Sequence, residues 1–392
     1  MSLSEKKRKN EGEVYSIFKK RKPDGSREDS NPPLDDESAK AKLLAFKSLL
    51  DFSLVDTEAE ISSRFDRISK DLLHEFRLVV RRENAPDMEL EILEAEFYLQ
   101  IAEIHEDPFT HGSEEQRVSG RWYFHRAPQY SHDSTRSSTS LTSYRTGSRK
   151  GMDLTFGGPP QLPSSGASTV APKASDRLLR GGILLRSVRQ VKSGKVTSGP
   201  SLLVDLVLSA SSASGIEELV EKKWLNNTTA FPAEVDAKQT ISLSLKPIST
   251  ASKTLPTVYR SPRIGLDLSH PGTTSVTALP LHPRIQFLPR KYRFFTHPEL
   301  LVANGRPQTF LGVLQTLAVV LPAGLKTPSL GSNIARITKT KDATAAKYLA
   351  DYVAGRDGGP SLVDQFIGTK GKGASSSPAT YLRMLGALSN ID

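Results

Sequence analysis

The segment from residue 88 to residue 99 constrains the fold more than any other part of this chain. It follows a strand-like run at 76–82 and a turn at 83–87, so the two runs predict a β-hairpin. Alternate residues of a strand share a face. One predicted face therefore carries Leu93, Ala95, Phe97 and Leu99. The other carries Met88, Leu90, Ile92, Glu94, Glu96 and Tyr98.

Two carboxylates thus end an otherwise apolar stripe. If the strand is covered on both sides, burial and mutual repulsion raise the pKa of a carboxyl group toward the range that general acid–base chemistry uses. The alternative is an edge strand whose Glu94 and Glu96 side chains lie in water. The strand pattern alone leaves both interpretations open.

The periodicity of the remaining chain predicts an α+β fold: a single domain with a curved antiparallel sheet and short helices. Helical spacing links Leu43, Phe46 and Leu50, and then Ile61, Phe65, Ile68 and Leu72. Further strands are predicted at 121–126, 153–156, 182–187, 263–268 and 292–296. Short helices are predicted at 200–210, 216–224 and around 342–354.

Composition divides the chain into three regions. Residues 1–36 are polar and charged and predict a disordered basic tail. Residues 37–300 form the predicted domain, and residues 301–392 form a partly helical C-terminal extension. Stretches rich in Ser, Pro and Gly near 127–148, 158–175 and 226–258 are interpreted as inserted loops because strand patterns resume after each.

Charge and residue usage limit the classes of function. The net charge of +10 favours phosphate-rich partners, and the absence of cysteine excludes thiolate zinc sites, iron–sulfur clusters and a cysteine nucleophile. No apolar run is long enough for a membrane span. We therefore expect a soluble intracellular protein with no membrane partner.

The tail carries two basic clusters, which predict a bipartite nuclear import signal, an import receptor as partner and a nuclear location. The alternative is a solvated basic arm that touches nucleic acid. The clusters are Lys6, Lys7, Arg8 and Lys9, and Lys19, Lys20, Arg21 and Lys22.

A metal site is not expected. The segment 105–111 contains two histidines and two acids, but the histidines are six residues apart. That spacing suits neither one helix face nor a zinc finger, and zinc needs three or four ligands in fixed geometry. We interpret His111 as part of a pocket rim, with an ordinary surface histidine as the alternative.

Five segments in order resemble the alkyladenine (3-methyladenine) DNA glycosylase family. The run 94–99, the pair Glu106-Asp107 and His111 resemble that family's Glu-Thr-Glu-Ala-Tyr-Leu strand, its Glu-Asp and its histidine. The other segments resemble its Val-Leu-Leu-Arg strand, Gly-Pro-Ser helix start, Ala-Arg-Val-Gly-Val strand and closing Arg-Lys-Pro-Leu-Arg-Phe strand. They are 182–186, 199–201, 261–266 and 290–294.

The resemblance implies a single α+β domain that flips a damaged purine out of duplex DNA and releases it hydrolytically. It implies that Glu96 is the base that activates water and that Arg186 helps to hold the water. It places Tyr98 and His111 in the base pocket, with His125 where the family has a second stacking tyrosine. No cofactor and no lysine nucleophile are implied, and a monomer is expected.

The chain also departs from the family. Gly157 stands where the family has an asparagine that screens out guanine, which makes Asp153 the nearest polar candidate for the pocket. Lys150 replaces the tyrosine that wedges into DNA, so Tyr144, Arg145 or Arg149 is a candidate wedge. Another basic segment predicted to contact DNA contains Arg290, Lys291 and Arg293.

These features predict a monofunctional DNA repair glycosylase. The departures keep two alternatives open: a non-catalytic nucleic-acid-binding protein with the same fold, and an N-glycosidase of free nucleosides.

Overall fold

The computed structural model describes residues 34–127, 143–159, 178–235, 238–250, 254–301, 303–320 and 324–391. The basic tail with both predicted import clusters lies outside the described residues. So do most of the predicted inserted loops at 127–148 and 158–175.

Two amphipathic helices cover one face of the sheet: α1 (Asp36–Leu49) and α2 (Glu58–His74). The Thr57 side chain caps α2 by accepting a hydrogen bond from the Glu60 amide. The predicted apolar stripe of α2 is fully buried, and Phe65 packs edge-on against Phe97 of the sheet. This stripe consists of Ile61, Phe65, Ile68 and Leu72.

Ten strands of the described residues form one curled antiparallel sheet, which confirms the predicted α+β class. They are β1 (Phe76–Arg81), β2 (Met88–Ile101), β3 (His105–Glu106), β4 (Trp122–Phe124), β5 (Met152–Phe156), β6 (Leu179–Gln190), β7 (Val196–Ser198), β8 (Ser242–Pro247), β9 (Tyr259–Ser261) and β10 (Arg293–Phe295). The main order is β4-β5-β6-β2-β1-β8; β10 pairs with β2 and β9, β3 with β2, and β7 with β6.

The pairing register of β2 and β6 is interrupted twice in succession, once in each strand. The register passes from Ile92 opposite Val188 to Glu94 opposite Ser187, then to Ala95 opposite Leu185. Leu93 and Arg186 are therefore unpaired in the β2–β6 register, as expected of β-bulges, which often lie beside functional sites.

This irregularity corrects the predicted faces of β2. Strict alternation assigned Leu90 and Ile92 to the face of the carboxylates. They lie instead in the core on the helix-covered face, together with Ala95, Phe97 and Leu99, and Leu93 is not part of that cluster. The prediction failed because a bulge reverses the alternation, which no local pattern reveals.

Two segments between 226 and 268 differ from their predicted structure. The stretch 226–258 contains β8, which pairs with β1 along its whole length. The strand predicted at 263–268 is wrong: β9 ends at Ser261, and Gly265 adopts a left-handed φ of 79°. Pro262 cannot donate to a sheet ladder, so the strand stops there.

Further helices lie in the described part of the chain after β7. They are α3 (Pro200–Ala210), α4 (Pro283–Phe287), α5 (Arg306–Val320), α6 (Leu330–Thr338), α7 (Asp342–Gly358) and α8 (Pro378–Leu388), with a π-helix at Glu218–Lys223. Short 3₁₀ turns occupy Glu114–Arg117, Gly147–Arg149, Pro232–Glu234, Pro298–Leu300, Gly324–Lys326, Pro360–Phe366, Gly368–Gly371 and Ala374–Ser376. None of the described helices has both the length and the apolar character needed to span a membrane.

The C-terminal helices pack closely on one another and onto the sheet. A Cβ atom at Gly386 of α8 would lie 2.1 Å from the Tyr352 carbonyl oxygen of α7, so only glycine permits this crossing. Hydrogen bonds from Ser375 to Asp267 and from Ser275 to Asp364 tie this region to the loop after β9.

Candidate active site

The second face of the sheet carries a row of side chains across five neighbouring strands. The register aligns one residue from each of β10, β2, β6, β5 and β4. The row reads Arg293, Glu96, Leu184, Asp153 and Tyr123. It links a carboxylate cluster at one end to a histidine cluster at the other.

Glu96 is fully buried and accepts three hydrogen bonds. The Tyr98 hydroxyl donates to Oε2 at 2.8 Å and Arg186 Nη1 donates to the same oxygen at 3.2 Å. The Ile264 amide donates to Oε1 at 2.7 Å. A carboxylate has about four lone-pair positions, so one position on Oε1 remains to accept a proton from a water molecule.

Glu94 orients Arg186 instead of facing a substrate. Its Oε1 accepts from Arg186 Nε at 3.2 Å and from Arg293 Nε at 2.6 Å, and its Oε2 accepts from the Ser187 hydroxyl. Burial opposes ionisation, but Arg293 and Arg186 outweigh it and lower the pKa of Glu94. The expected rise of a carboxyl pKa is therefore wrong for Glu94.

A fourth ion pair completes the carboxylate end. Arg263 donates to both oxygens of Asp107, and each side chain has an exposed fraction of 0%. The Arg263 guanidinium also lies 4.4 Å from the ring centroid of Tyr98. Burial and the Glu96 charge raise the pKa of Tyr98, so its hydroxyl keeps the proton that it donates to Glu96.

The buried charges of the carboxylate end balance. The three carboxylates are Glu94, Glu96 and Asp107, and the three guanidiniums are Arg186, Arg263 and Arg293. Each ion has a partner of opposite sign within hydrogen-bonding distance, which is the condition under which buried charges are tolerated.

The other end of the row is built around His125. Its Nε2 lies 2.9 Å from Oδ1 of Asp153, whose Oδ2 accepts from Gln116 at 3.2 Å. The His111 ring lies against the His125 ring with a centroid separation of 4.3 Å. The predicted pocket residues His111, His125 and Asp153 therefore form one cluster.

His111 should make the stability of the fold depend on pH. Burial, assisted by His125, lowers the pKa of His111 from 6.5 to about 4. Between these values the unfolded chain binds more protons than the folded chain, so the free energy of unfolding should fall as pH falls through this window.

Urea unfolding of the wild type and of His111→Gln between pH 7 and pH 4 measures this dependence. The variant should lose part of the slope, whereas the control His270→Gln, at an exposed histidine, should keep it. Identical slopes in the wild type and His111→Gln would contradict the assignment.

Two predicted residues lie apart from the site or have another role. Gly157 follows β5, four residues beyond Asp153, or about 13 Å at the usual strand rise. A Cβ at Gly157 would lie 2.2 Å from the Arg117 carbonyl oxygen, so packing explains this glycine. Arg293 is wrong as a DNA contact: it is 0% exposed, because its position on β10 directs it at Glu94.

The other basic residues predicted to contact DNA have partners or are exposed. Lys150 pairs with Asp205, Arg290 with Glu58, and the Arg126 guanidinium lies 3.7 Å from the Tyr144 ring centroid. Arg149 and Lys291 are both exposed, and partial desolvation together with Arg260 lowers the pKa of Lys291.

A groove of about 870 Å³ runs beside the candidate wedge segment. Tyr144, Arg145 and Lys150 are among the residues that line this groove. Four acidic side chains also line it, against three basic ones. The acidic residues are Glu115, Asp205, Glu217 and Glu221, and the basic ones are Arg126, Arg145 and Lys150. This groove is therefore not a continuous basic track for phosphates.

Sequence reasoning missed the roles of Asp107, Arg263 and Arg293. The only local signal was a charged residue inside an otherwise apolar segment, as at Arg263. Among the residues that the structure describes, no three His, Asp or Glu side chains are placed to hold a metal ion.

Comparison with known proteins gives a similarity to a viral protein. No protein-family model matches this chain. The uncharacterized protein L759 of Acanthamoeba polyphaga mimivirus is 32% identical to it over 175 residues, which is 45% of this chain and 68% of the viral protein.

Proposed function

We propose that this chain, which belongs to the same protein family as mimivirus protein L759, is a monofunctional DNA N-glycosylase. It hydrolyses the N-glycosidic bond of a damaged purine that has been flipped out of duplex DNA. The observation that carries the proposal is the environment of Glu96: a buried carboxylate, fixed by three donors, with one lone pair left for water.

The chemistry of the site suits this reaction. Cleavage of an N-glycosidic bond builds positive charge on the sugar, which a buried carboxylate stabilises strongly. Glu96 takes the proton of the attacking water, and Arg186 fixes Oε2 of Glu96 and is itself oriented by Glu94. No covalent enzyme intermediate is required.

Aromatic side chains beside Glu96 supply a place for the base. Tyr98 and His111 are both partly exposed: Tyr98 lies on the strand of Glu96, and His111 lies against His125. Unstacking a base costs a few kcal/mol, and stacking on protein rings returns about 1–3 kcal/mol per base. The resemblance to alkyladenine DNA glycosylases assigns the same roles to Glu96, Arg186, Tyr98 and His111.

Single-turnover base release tests the proposal. Duplexes carrying hypoxanthine, ethenoadenine or 3-methyladenine are incubated with excess protein, and the free base is measured. We expect release of at least one of the three bases, with no strand cleavage because the mechanism uses no amine nucleophile.

The main alternative is a non-catalytic nucleic-acid-binding protein. The complete burial of Glu96 favours this alternative. Duplex binding without release of any base would support it. Release from free nucleosides, independent of DNA length and salt, would instead support a nucleoside hydrolase.

Nuclear location and an import receptor are a separate proposal that depends on the two basic clusters of the tail. Deleting residues 1–25 should move the protein out of the nucleus, and unchanged nuclear accumulation would refute the proposal.

A further inference from the structure

A partly buried guanidinium on α4 has no anionic partner. The charge centre of Arg284 lies 4.9 Å from the centroid of the Phe109 ring. Within the described ranges the Arg284 side chain has neither a hydrogen bond nor an ion pair. Burial lowers the pKa of Arg284, which is the direction expected of a cation that loses water without gaining a partner.

Two carboxylates act on Arg284 from beyond hydrogen-bonding distance, and both bind other donors. Asp107 accepts from the guanidinium of Arg263. Asp267 accepts from the amide and the hydroxyl of Ser269, in addition to the hydrogen bond from the C-terminal region described above. A desolvated cation is stabilised by an anion at hydrogen-bonding distance, so Arg284 is available to an anion from another molecule.

Two histidines beside Arg284 have donors in fixed positions. Nδ1 of His282 accepts from the Arg284 amide and Nδ1 of His270 accepts from the Gly272 amide, each at 3.1 Å. The proton of each ring is therefore on Nε2, which donates whether the ring is neutral or charged. In the part of the chain that the structure describes, neither Nε2 has a hydrogen-bond partner. Burial and the nearby charges of Arg284 and His270 lower the pKa of His282, so the three side chains are neighbours.

This cluster adjoins the proposed base pocket through Phe109. The Phe109 ring contacts two guanidiniums, that of Arg284 at 4.9 Å and that of Arg263 at 5.3 Å. Arg263 lies in turn 4.4 Å from the Tyr98 ring centroid. Phe109 also precedes His111 by two residues. Arg284 is thus close to both aromatic side chains proposed to hold the base.

We propose that Arg284, His282 and His270 bind one phosphate of the DNA backbone beside the flipped nucleotide. The inference rests on the proposed function for the identity of the polymer. A guanidinium offers parallel N–H donors that match two phosphate oxygens, and the two imidazoles add single donors. Phosphate contacts fix the position of a protein on a duplex. The groove beside the wedge segment is mixed in charge, so a discrete site of this kind would supply that function.

Removing one phosphate charge at a time tests the site. Duplexes with a single hypoxanthine carry one neutral methylphosphonate at successive linkages on either side of it, and the Kd of each is measured for the wild type and Arg284→Gln. At one linkage next to the lesion, we expect the neutral group to weaken binding by the wild type about tenfold. The same group should leave binding by Arg284→Gln unchanged.

Salt dependence gives an independent readout on the unmodified duplex. Arg284→Gln should bind about tenfold more weakly, and its slope of log affinity against log salt should be smaller by about one, because one fewer phosphate is neutralised. The matched control is Arg81→Gln, at an exposed arginine that ends β1. Its neighbour Val80 pairs with Met88, about 33 Å along β2 from Tyr98 at the usual strand rise. This control should keep the wild-type slope.

A second variant tests the imidazole donor without disturbing the start of α4. In His282→Asn the amide oxygen can still accept from the Arg284 amide, as asparagine commonly does at a helix start, but the Nε2 donor is lost. We expect about threefold weaker binding of the unmodified duplex. Circular dichroism establishes that each variant is folded.

The outcomes separate this site from the glycosylase proposal. Wild-type affinity of Arg284→Gln, or an equal effect of every methylphosphonate on the wild type and the variant, would overturn the inference and leave base release as evidence for the glycosylase. Loss of the effect at one linkage in Arg284→Gln, without base release by the wild type, would support the phosphate site and refute the glycosylase. A wild type that binds no duplex would overturn both.

Discussion

Replacing Glu96 with glutamine should lower single-turnover base release by about 10² to 10⁴-fold, the usual contribution of a positioned general base. Glutamine keeps the shape of the side chain and an oxygen for the Ile264 amide, but it cannot accept the water proton. In the proposed reaction Glu96 faces the sugar and not the phosphates, so duplex affinity should remain close to that of the wild type.

The control for this variant is Glu83→Gln, at an exposed glutamate in the turn before β2. It should release base at the wild-type rate. Binding measured by titration of labelled duplex, with circular dichroism to establish folding, completes the comparison. Wild-type base release by folded Glu96→Gln would exclude Glu96 as the base.

Replacing Asp107 with asparagine should destabilise the fold by about 3–5 kcal/mol, the cost of leaving one ion of a buried pair without its partner. Arg263 is 1% exposed and has no second carboxylate within hydrogen-bonding distance among the described residues. The isosteric amide fills the same space, so the loss reports charge and not volume.

Urea unfolding at neutral pH gives this free energy. Glu37→Gln is the matched control, because its pair with Lys40 has side chains 87% and 72% exposed. Surface pairs contribute little, and we expect a change within about 0.5 kcal/mol. A loss below about 1 kcal/mol for Asp107→Asn would mean that the protein relaxes around Arg263 or lets water reach it.

The sequence predicted those parts of the fold that local periodicity determines. Apolar residues three and four positions apart predicted the stripe of α2. Alternation every second residue predicted the strand at 88–99. The shared face of Glu94, Glu96 and Tyr98 was also predicted correctly, since all three follow the bulge at Leu93.

What the sequence could not predict depends on contacts between distant segments. Glu94 meets Arg293 across 199 positions, and Asp107 meets Arg263 across 156. The His125–Asp153 pair requires the register of β4 on β5, which no single strand encodes. These pairings decide which charges are neutralised, and hence which carboxylate remains available to water.

The balanced cluster of six buried charges has a consequence for ionic strength. Mobile ions screen exposed charges beyond about 8 Å at physiological salt, but they hardly reach charges inside a protein. DNA affinity, in contrast, falls steeply with salt because binding releases counterions from the phosphates. Added salt should therefore weaken binding of the duplex that we propose as substrate, while the geometry around Glu96 stays intact. Salt concentration would then change the association with DNA without changing the chemical step.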